Sequence, residues 1–410
     1  VSDRLPIPAD SIALSNGYGQ FHLQDLAAYL DSIGALETYL SGVHLRVRPP
    51  RAVSGSRVMG GAVARMLQRR VDLSSAAIRR AWCGEALHQV GRRAIAGGLP
   101  RLGGQLEAGS LRAYGHEVTR RVSASRAPIY HYRAGFGNVS LPAARRSGAV
   151  LLCDHSIAHP RYLARVLPAM GAGMTAFWRL VEQDIEQADH VVVNSGFVKD
   201  TCVAEGMSPE SITVVPTVPD GRILDHLGVG GERSGRPIAL FVGSLEYRKG
   251  VRALVDAVVA SQHLELDWVV VGDWEPEAAP LRSLIEGKAL LLDRLPRAEV
   301  ATWLAKATFF VFPTLAEGSA RVVAEALHAG CHVVTTHNAG SLTRDGVDGR
   351  IVPAEDSAAI VAALEEGLAL PPAERGRRAR ETSLRAREVL TPEAYASGIV
   401  QLYARLLGTT

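Results

Sequence analysis

The sequence predicts an α/β protein of two Rossmann-like domains whose parallel sheets face each other across a cleft. Three observations carry that expectation. Short apolar runs alternate with helical patterns along most of the chain. The runs lack period-two alternation, so both faces of each strand are expected to be covered. A Gly-rich polar stretch without periodicity, GVGGERSGRP, divides the 410 residues, which sets domains at 1–227 and 237–391 and a linker at 228–236.

The second half is the clearer one. PIALFVGS (237–244) reads as a buried strand, with GVRALVDAVVAS as its helix. LDWVVVGD (266–273), KALLLDRLP (288–296), TFFVFPT (308–314), CHVVTT (331–336) and GRIVP (349–353) read as further strands. AEVATWLAKA (298–307), LAEGSARVVAEALHAG (315–330) and EDSAAIVAALEEGLAL (355–370) read as helices. In the first half SIALSNGYGQ (11–20) is a strand into a Gly-rich turn, and FHLQDLAAYLDSIG (21–34) is its helix. Residues 55–125 are Arg/Ala-rich and helical in pattern, with a break at GGLPRLGG (97–104). Strands follow in 127–138, 148–156, 188–195 and 211–220. A last helix over 392–410 is read as crossing back to complete the first domain.

Composition narrows the function classes. Apolar residues make up 47% and charged residues 21%, which suits a large soluble core. No run approaches the roughly 18 apolar residues that span a bilayer. The opening VSDRLPIPAD has no basic start before an apolar block, so no signal peptide is expected. The four cysteines form no C-x-x-C clip, which predicts reduced thiols, no metal site and a cytoplasmic protein. A net charge of +3 is too small to argue for nucleic acid. Residues 1–225 hold 25 Lys+Arg against 19 Asp+Glu, whereas 226–410 hold 20 against 23. That basic first half is either a set of solvated helix faces or a surface for an anionic substrate or membrane headgroups at the inner face.

Ligands of an open parallel sheet bind beyond the carboxyl ends of its strands. Those ends carry Asn16-Gly17-Tyr18-Gly19, Asp154-His155-Ser156, Ser244 through Gly250, Gly272-Asp273 and Glu317-Gly318-Ser319. Where a strand delivers a Gly-Ser turn to a helix start, exposed backbone N–H groups suit a phosphate. Lys249 adds a mobile cation, and Glu325 is placed to accept from ribose hydroxyls. The plainer readings are that Glu317 stabilises a helix N-terminus and that Glu325 is a solvated helix residue. His131 and Arg133 follow a strand in a Gly-rich loop, HYRAGFG, and line an acceptor pocket or belong to a plain loop. His22 either faces the cleft or lies on the surface; Trp82 stacks on a ligand or, as the favoured reading, packs in the core.

FVGSLEYRKG, VVVGD and FVFPTLAEGSARVVAEALHAGCHVVTTHNAGS, in this order and spacing, resemble the second domain of retaining glycosyltransferases of family 4, which have the GT-B fold. VVVNSGFVKDTCVAEGMSPESITVVPTVPD resembles the end of that family's first domain. The resemblance covers 188–370 well and 1–187 loosely. It implies transfer of a sugar from a UDP- or GDP-linked donor to an acceptor hydroxyl, with retention and without a divalent metal. Glu317 and His155 would stand at the reacting sugar. Backbone amides of Ser319, Ala320, Arg321 and Val322 would hold the diphosphate, with Gly318 giving the turn and Gly243 and Ser244 facing it. Lys249 would neutralise it, and Glu325 would bind the ribose. Arg294 and Leu295 would lie at the base. Gly17 and Gly19 resemble the family's glycine-rich first loop, and Asp154, beside His155 and on the acceptor side, is the one alternative suspect for a carboxylate nucleophile.

The chain departs from the pattern at several points. Ser244 stands where the family carries an Arg, so Arg248 or Arg321 would supply that charge. Ala320 and Arg321 replace a Gly and a Leu. These departures leave two further readings, a nucleotide-sugar epimerase on the same fold and a donor-binding protein without turnover. The acceptor would be a small polar sugar or aminocyclitol of a secondary metabolite, or a lipid-linked molecule.

Overall fold

The computed structural model describes residues 7–18, 22–42, 73, 78–167, 176–219 and 221–409. Two parallel sheets organise it. The first has seven strands in the order β3-β2-β1-β4-β5-β6-β7. These are β1 (Ile12–Gly17), β2 (Leu36–Ser41), β3 (Ile78–Arg80), β4 (Ile129–Arg133), β5 (Val150–His155), β6 (His190–Val193) and β7 (Ile212–Val214). The second has six, in the order β10-β9-β8-β11-β12-β13. They are β8 (Ile238–Val242), β9 (Asp267–Val271), β10 (Leu290–Leu292), β11 (Phe309–Phe312), β12 (His332–Thr336) and β13 (Gly349–Val352). In each sheet the strand order reverses direction beside the first strand, which opens a crevice for ligands at that switch point.

The central strands are apolar throughout because helices cover both faces. Phe241, Phe309, Phe310 and Phe312 are fully enclosed in the second domain, together with Val269, Val270, Val333 and Val334. In the first domain Ile12, Leu14, Leu152 and Val192 pack on one face, and Tyr130, Tyr132, Leu151 and Cys153 on the other.

Several local features differ from the sequence reading. β2 and β3 were not anticipated: LETYLS carries Glu37 and Thr38 on half-buried positions, and IRR is three residues long. The Arg-rich region forms two helices, Trp82–Ala96 and Pro100–Ala124, and the expected break narrows to three residues between them. Residues 55–72 and 74–77 of that region lie outside the described residues. Pro372–Val389 is a helix that apolar periodicity does not reveal. Its surface is held by ion pairs such as Arg377 with Glu374 and Glu381 at helical spacing.

The helix Pro392–Leu407 packs against the first domain, not the second. Tyr395, Ile399, Val400, Leu402 and Tyr403 join Leu23, Leu26, Leu30 and Tyr39 in one core. A Thr391 side chain caps its start by accepting from the Ala394 amide. Ile399 is fully buried there. Replacing it with Ala is expected to destabilise the first domain by about 2–5 kcal/mol, read as a lower urea midpoint.

Candidate functional site between the two domains

A cleft of about 790 Å³ opens at the carboxyl ends of β8, β9, β10 and β11. Gly243, Ser244, Lys249, Arg294, Leu295, Glu317, Ser319, Ala320, Arg321, Val322 and Glu325 all line it, so the sequence placed these residues together. Asp273, expected at the end of β9, lines it as well, and so do Arg297 and Phe312, which were not foreseen. Arg297 begins the helix after β10, beside Pro296, and its only signal was position after a strand end.

The loop after β11 is more elaborate than the expected strand-turn-helix. The helix starts at Arg321, and Glu317 through Ala320 form an irregular segment ahead of it. Glu317 therefore does not stabilise the helix start. Its carboxylate accepts from Arg248 Nη1 at 2.7 Å and from Lys249 Nζ. Arg248 also donates to Ala316 O at 3.0 Å and to Glu246 Oε1 at 2.7 Å. Arg248 thus braces the floor and does not itself line the cleft. Burial pushes the Lys249 ammonium below its usual range, and Glu317 pulls it partly back. The ammonium lies 5.1 Å from the centre of the Phe312 ring, a cation–π contact.

Backbone chemistry of this loop is partly committed. The Ala320 amide bonds Ala339 O at 2.9 Å, and the Glu317 amide bonds Asn338 O at 3.0 Å. The Ala320 amide is therefore spent, which corrects the expectation that all amides from Ser319 to Val322 face a diphosphate. Glu325 is only 4% exposed, against the reading of a solvated helix residue. Its Oε1 accepts from Arg297 Nη1 at 3.3 Å.

Gly250 fixes the Lys249 turn. It has φ 71°, and a Cβ there would lie 1.9 Å from Pro313 O at the exit of β11. No side chain fits, so Lys249 is held against the strand end. Gly318 meets the other domain: a Cβ there would lie 1.9 Å from Ser156 O. Ser195 Oγ caps the helix Gly196–Ala204 and donates to Gly318 O at 2.5 Å. Asn338 Nδ2 reaches Tyr162 OH at 3.2 Å, and His337 Nε2 lies 3.0 Å from Asp200 Oδ2. The loops after β11 and β12 are thus docked on the first domain by paired polar contacts.

On the first-domain side the polar residues lie at or beneath the sheet end. His155, at the end of β5, is enclosed; burial lowers its pKa to about 3, with His159 adding to the effect. His131 has no exposed surface, and its Nδ1 lies 2.6 Å from Tyr403 OH on the last helix. Its Nε2 lies 3.9 Å from Asp154 Oδ2, which His22 Nε2 approaches at 2.8 Å. Burial alone would raise the Asp154 carboxyl, but His22, His131 and Arg133 together hold it below the usual range. Arg133 ends β4 and is half-buried; burial lowers its pKa, offset by Asp154. Gly17 ends β1 against the Phe136 ring, and Gly19 lies outside the described residues. The HYRAGFG loop is organised by Asp184, which accepts from the Gly135, Gly137 and Asn138 amides at 2.8, 2.7 and 2.6 Å. Trp82 is 53% exposed, against the core position favoured from sequence.

Two outcomes follow from this geometry. Gly250→Ala is expected to lower stability by more than the about 1 kcal/mol of an ordinary turn substitution and to weaken ligand binding, both measurable by thermal unfolding with and without nucleotide. Below pH 6.5 the unfolded chain takes up protons that His131 refuses until about pH 4 and His155 until about pH 3. Their contribution to stability is full above pH 6.5 and falls as pH falls through that window, by up to about 1.4 kcal/mol per pH unit for each histidine. A urea series at stepped pH reads that slope, and His131→Gln should flatten it.

Comparison with known proteins agrees with the architecture. Residues 236–369 match the family model described as glycosyl transferases group 1. D-inositol 3-phosphate glycosyltransferase 1 of Catenulispora acidiphila is 29% identical over 297 residues, which is 64% of this chain and 66% of that protein. Sucrose-phosphate synthase from Thermosynechococcus elongatus superposes with a TM-score of 0.61 at 17% identity, over 97% of this chain and 100% of that one. Anabaena Alr3699/HepE, solved in complex with UDP, gives 0.62 at 14% identity, over 96% and 100%. The chain therefore has the two-domain parallel-sheet fold of GT-B proteins, and its second domain is similar to the group 1 glycosyl transferases.

Proposed function

We propose that this protein transfers a sugar from a nucleoside diphosphate donor to an acceptor hydroxyl, with retention of anomeric configuration and without a divalent metal. The observation that carries the reading is the joint placement of Lys249, Glu317 and Glu325 around one cleft, on the segment that matches the glycosyltransferase family. Lys249 supplies the cation that a departing diphosphate needs, and electrostatic stabilisation of that kind is commonly the largest catalytic term. Glu325 exchanges Arg297 for the ribose hydroxyls. Glu317, relieved of Lys249 by the diphosphate, turns to the donor sugar. The acceptor oxygen bonds the anomeric carbon as the bond to the diphosphate oxygen breaks. The electron pair leaves with the diphosphate, which takes the acceptor proton on the same face.

UDP is the favoured nucleotide, since HepE is described in complex with UDP and with UDP-glucose. GDP is the alternative. The acceptor is a small polar hydroxyl compound, in keeping with the name of the Catenulispora relative, or a lipid-linked one. His155 stands at the first-domain edge of the reacting centre, and Arg133 and Asp154 set the field beneath it.

Thermal shift against UDP, GDP, ADP and dTDP, with and without Mg²⁺, tests the site. At about 100 times its dissociation constant the right nucleotide stabilises by about 2.7 kcal/mol, without Mg²⁺. Glu325→Ala should remove most of that shift. Glu317→Ala should keep the shift and lose transfer by about 10²-fold or more. Binding without transfer to any acceptor would favour a donor-binding protein, and conversion of donor without acceptor an epimerase. No shift with any nucleotide would refute the proposal.

A further inference from the structure

The helical hairpin of the first domain ends in an exposed tip that the catalytic reading does not use. The two helices, Trp82–Ala96 and Pro100–Ala124, meet through small residues: a Cβ on Gly103 would lie 2.8 Å from Gly91 O. Ile95 lies partly over Gly103, and larger side chains around the tip stay exposed. Val90, Ile95, Leu99 and Leu102 are between 41% and 56% exposed. They are four of the thirteen large hydrophobics exposed among the described residues, and Trp82 on the same hairpin is a fifth. The other eight are scattered over seven further elements and loops.

The charge at this tip has one sign. Arg92, Arg93 and Arg101 are exposed, and no acidic residue occurs between Glu85 and Glu107. Glu85 is buried, and Glu107 turns inward, 3.8 Å from His88, where Arg92 also acts on it. Leucine, isoleucine and valine interleaved with arginine suit an interface that is apolar within and anionic at its rim. Self-association through this tip would bring like charges together.

We propose that the tip of this hairpin is a docking surface for a membrane that contains anionic lipid. Leu99, Leu102, Ile95 and Val90 enter the headgroup boundary, and Arg92, Arg93 and Arg101 meet the lipid phosphates. No helix among the described residues is long and apolar enough to cross a membrane, so the contact is peripheral. The sequence leads the same way, since residues 38–71 carry seven arginines and no acid. The hairpin also ties the membrane to the cleft. Tyr18 OH donates to Ser110 O at 2.6 Å, and Tyr114 OH lies 2.9 Å from Ser15 Oγ and accepts from the Gly17 amide at 3.3 Å. Ser110 is eight residues from Leu102, roughly 12 Å along the helix. A docked tip thus holds the first-domain loop a short, fixed distance above the lipid.

The test is vesicle flotation of the full chain with phosphatidylcholine alone and with added phosphatidylglycerol. Binding is expected only with the anionic lipid, and raised salt should weaken it. Arg92→Ser/Arg93→Ser/Arg101→Ser should lower affinity by about 10²-fold, at about fivefold for each arginine. Leu99→Ser/Leu102→Ser should also release the protein while keeping its charge. Both variants must retain the wild-type unfolding temperature. Equal binding by all three proteins, or no flotation of the wild type with either vesicle, overturns the proposal. Capture of an acidic protein by the tip, with no lipid binding, would overturn it in favour of a protein partner.

Discussion

The carboxylate of Glu317 is the point on which the cleft depends. It ties the Lys249 turn after β8 to the irregular segment after β11 by accepting from both Arg248 and Lys249. The first is a single 3-10 turn, Tyr247–Lys249, and the second is irregular, so no helix or sheet ladder holds the two in register. Gly250 leaves the turn no room to drift, because its backbone lies against Pro313. The ion pairs and that steric stop act together. They keep an ammonium largely out of solvent, where its field reaches a bound anion with little screening.

The second support comes from the opposite domain. Ser195 serves both as the cap of its own helix and as a donor to Gly318 O. A shift of the first domain would therefore cost that bridging bond while leaving the cap intact. The contacts of Asn338 with Tyr162 and of His337 with Asp200 widen this hold. The loop after β11 is thus positioned by two domains, which suits a cleft that assembles as the domains close.

Much of this could be read from the chain. Buried parallel strands announce themselves as unbroken apolar runs, so β8, β9, β11 and β12 were legible, and the residues after them defined the cleft. Less legible were elements held by something other than apolar burial. β3 is three residues long, and the helix Pro372–Val389 is stabilised by surface ion pairs. Arg297 was missed because its partner Glu325 is distant in sequence, and a pair of that kind leaves no local pattern. The start of the helix at Arg321 was misplaced for a related reason. Ala320 gives no side-chain cap, so nothing in the sequence marks the boundary. His131 shows the same limit, because only the fold brings Tyr403 to it.

The packing of Pro392–Leu407 on the first domain has a consequence for biosynthesis. Tyr395, Ile399 and Tyr403 fill a core whose other walls come from the first-domain sheet and the helix His22–Ser32. A ribosome emits the first-domain sheet before this helix, yet one face of that sheet stays uncovered until Pro392–Leu407 emerges. The second domain, begun later, holds all of its sheet within residues 238–352 and closes its core sooner. A chain stalled before Pro392–Leu407 emerges would thus carry one domain with its sheet complete and one with an open hydrophobic wall.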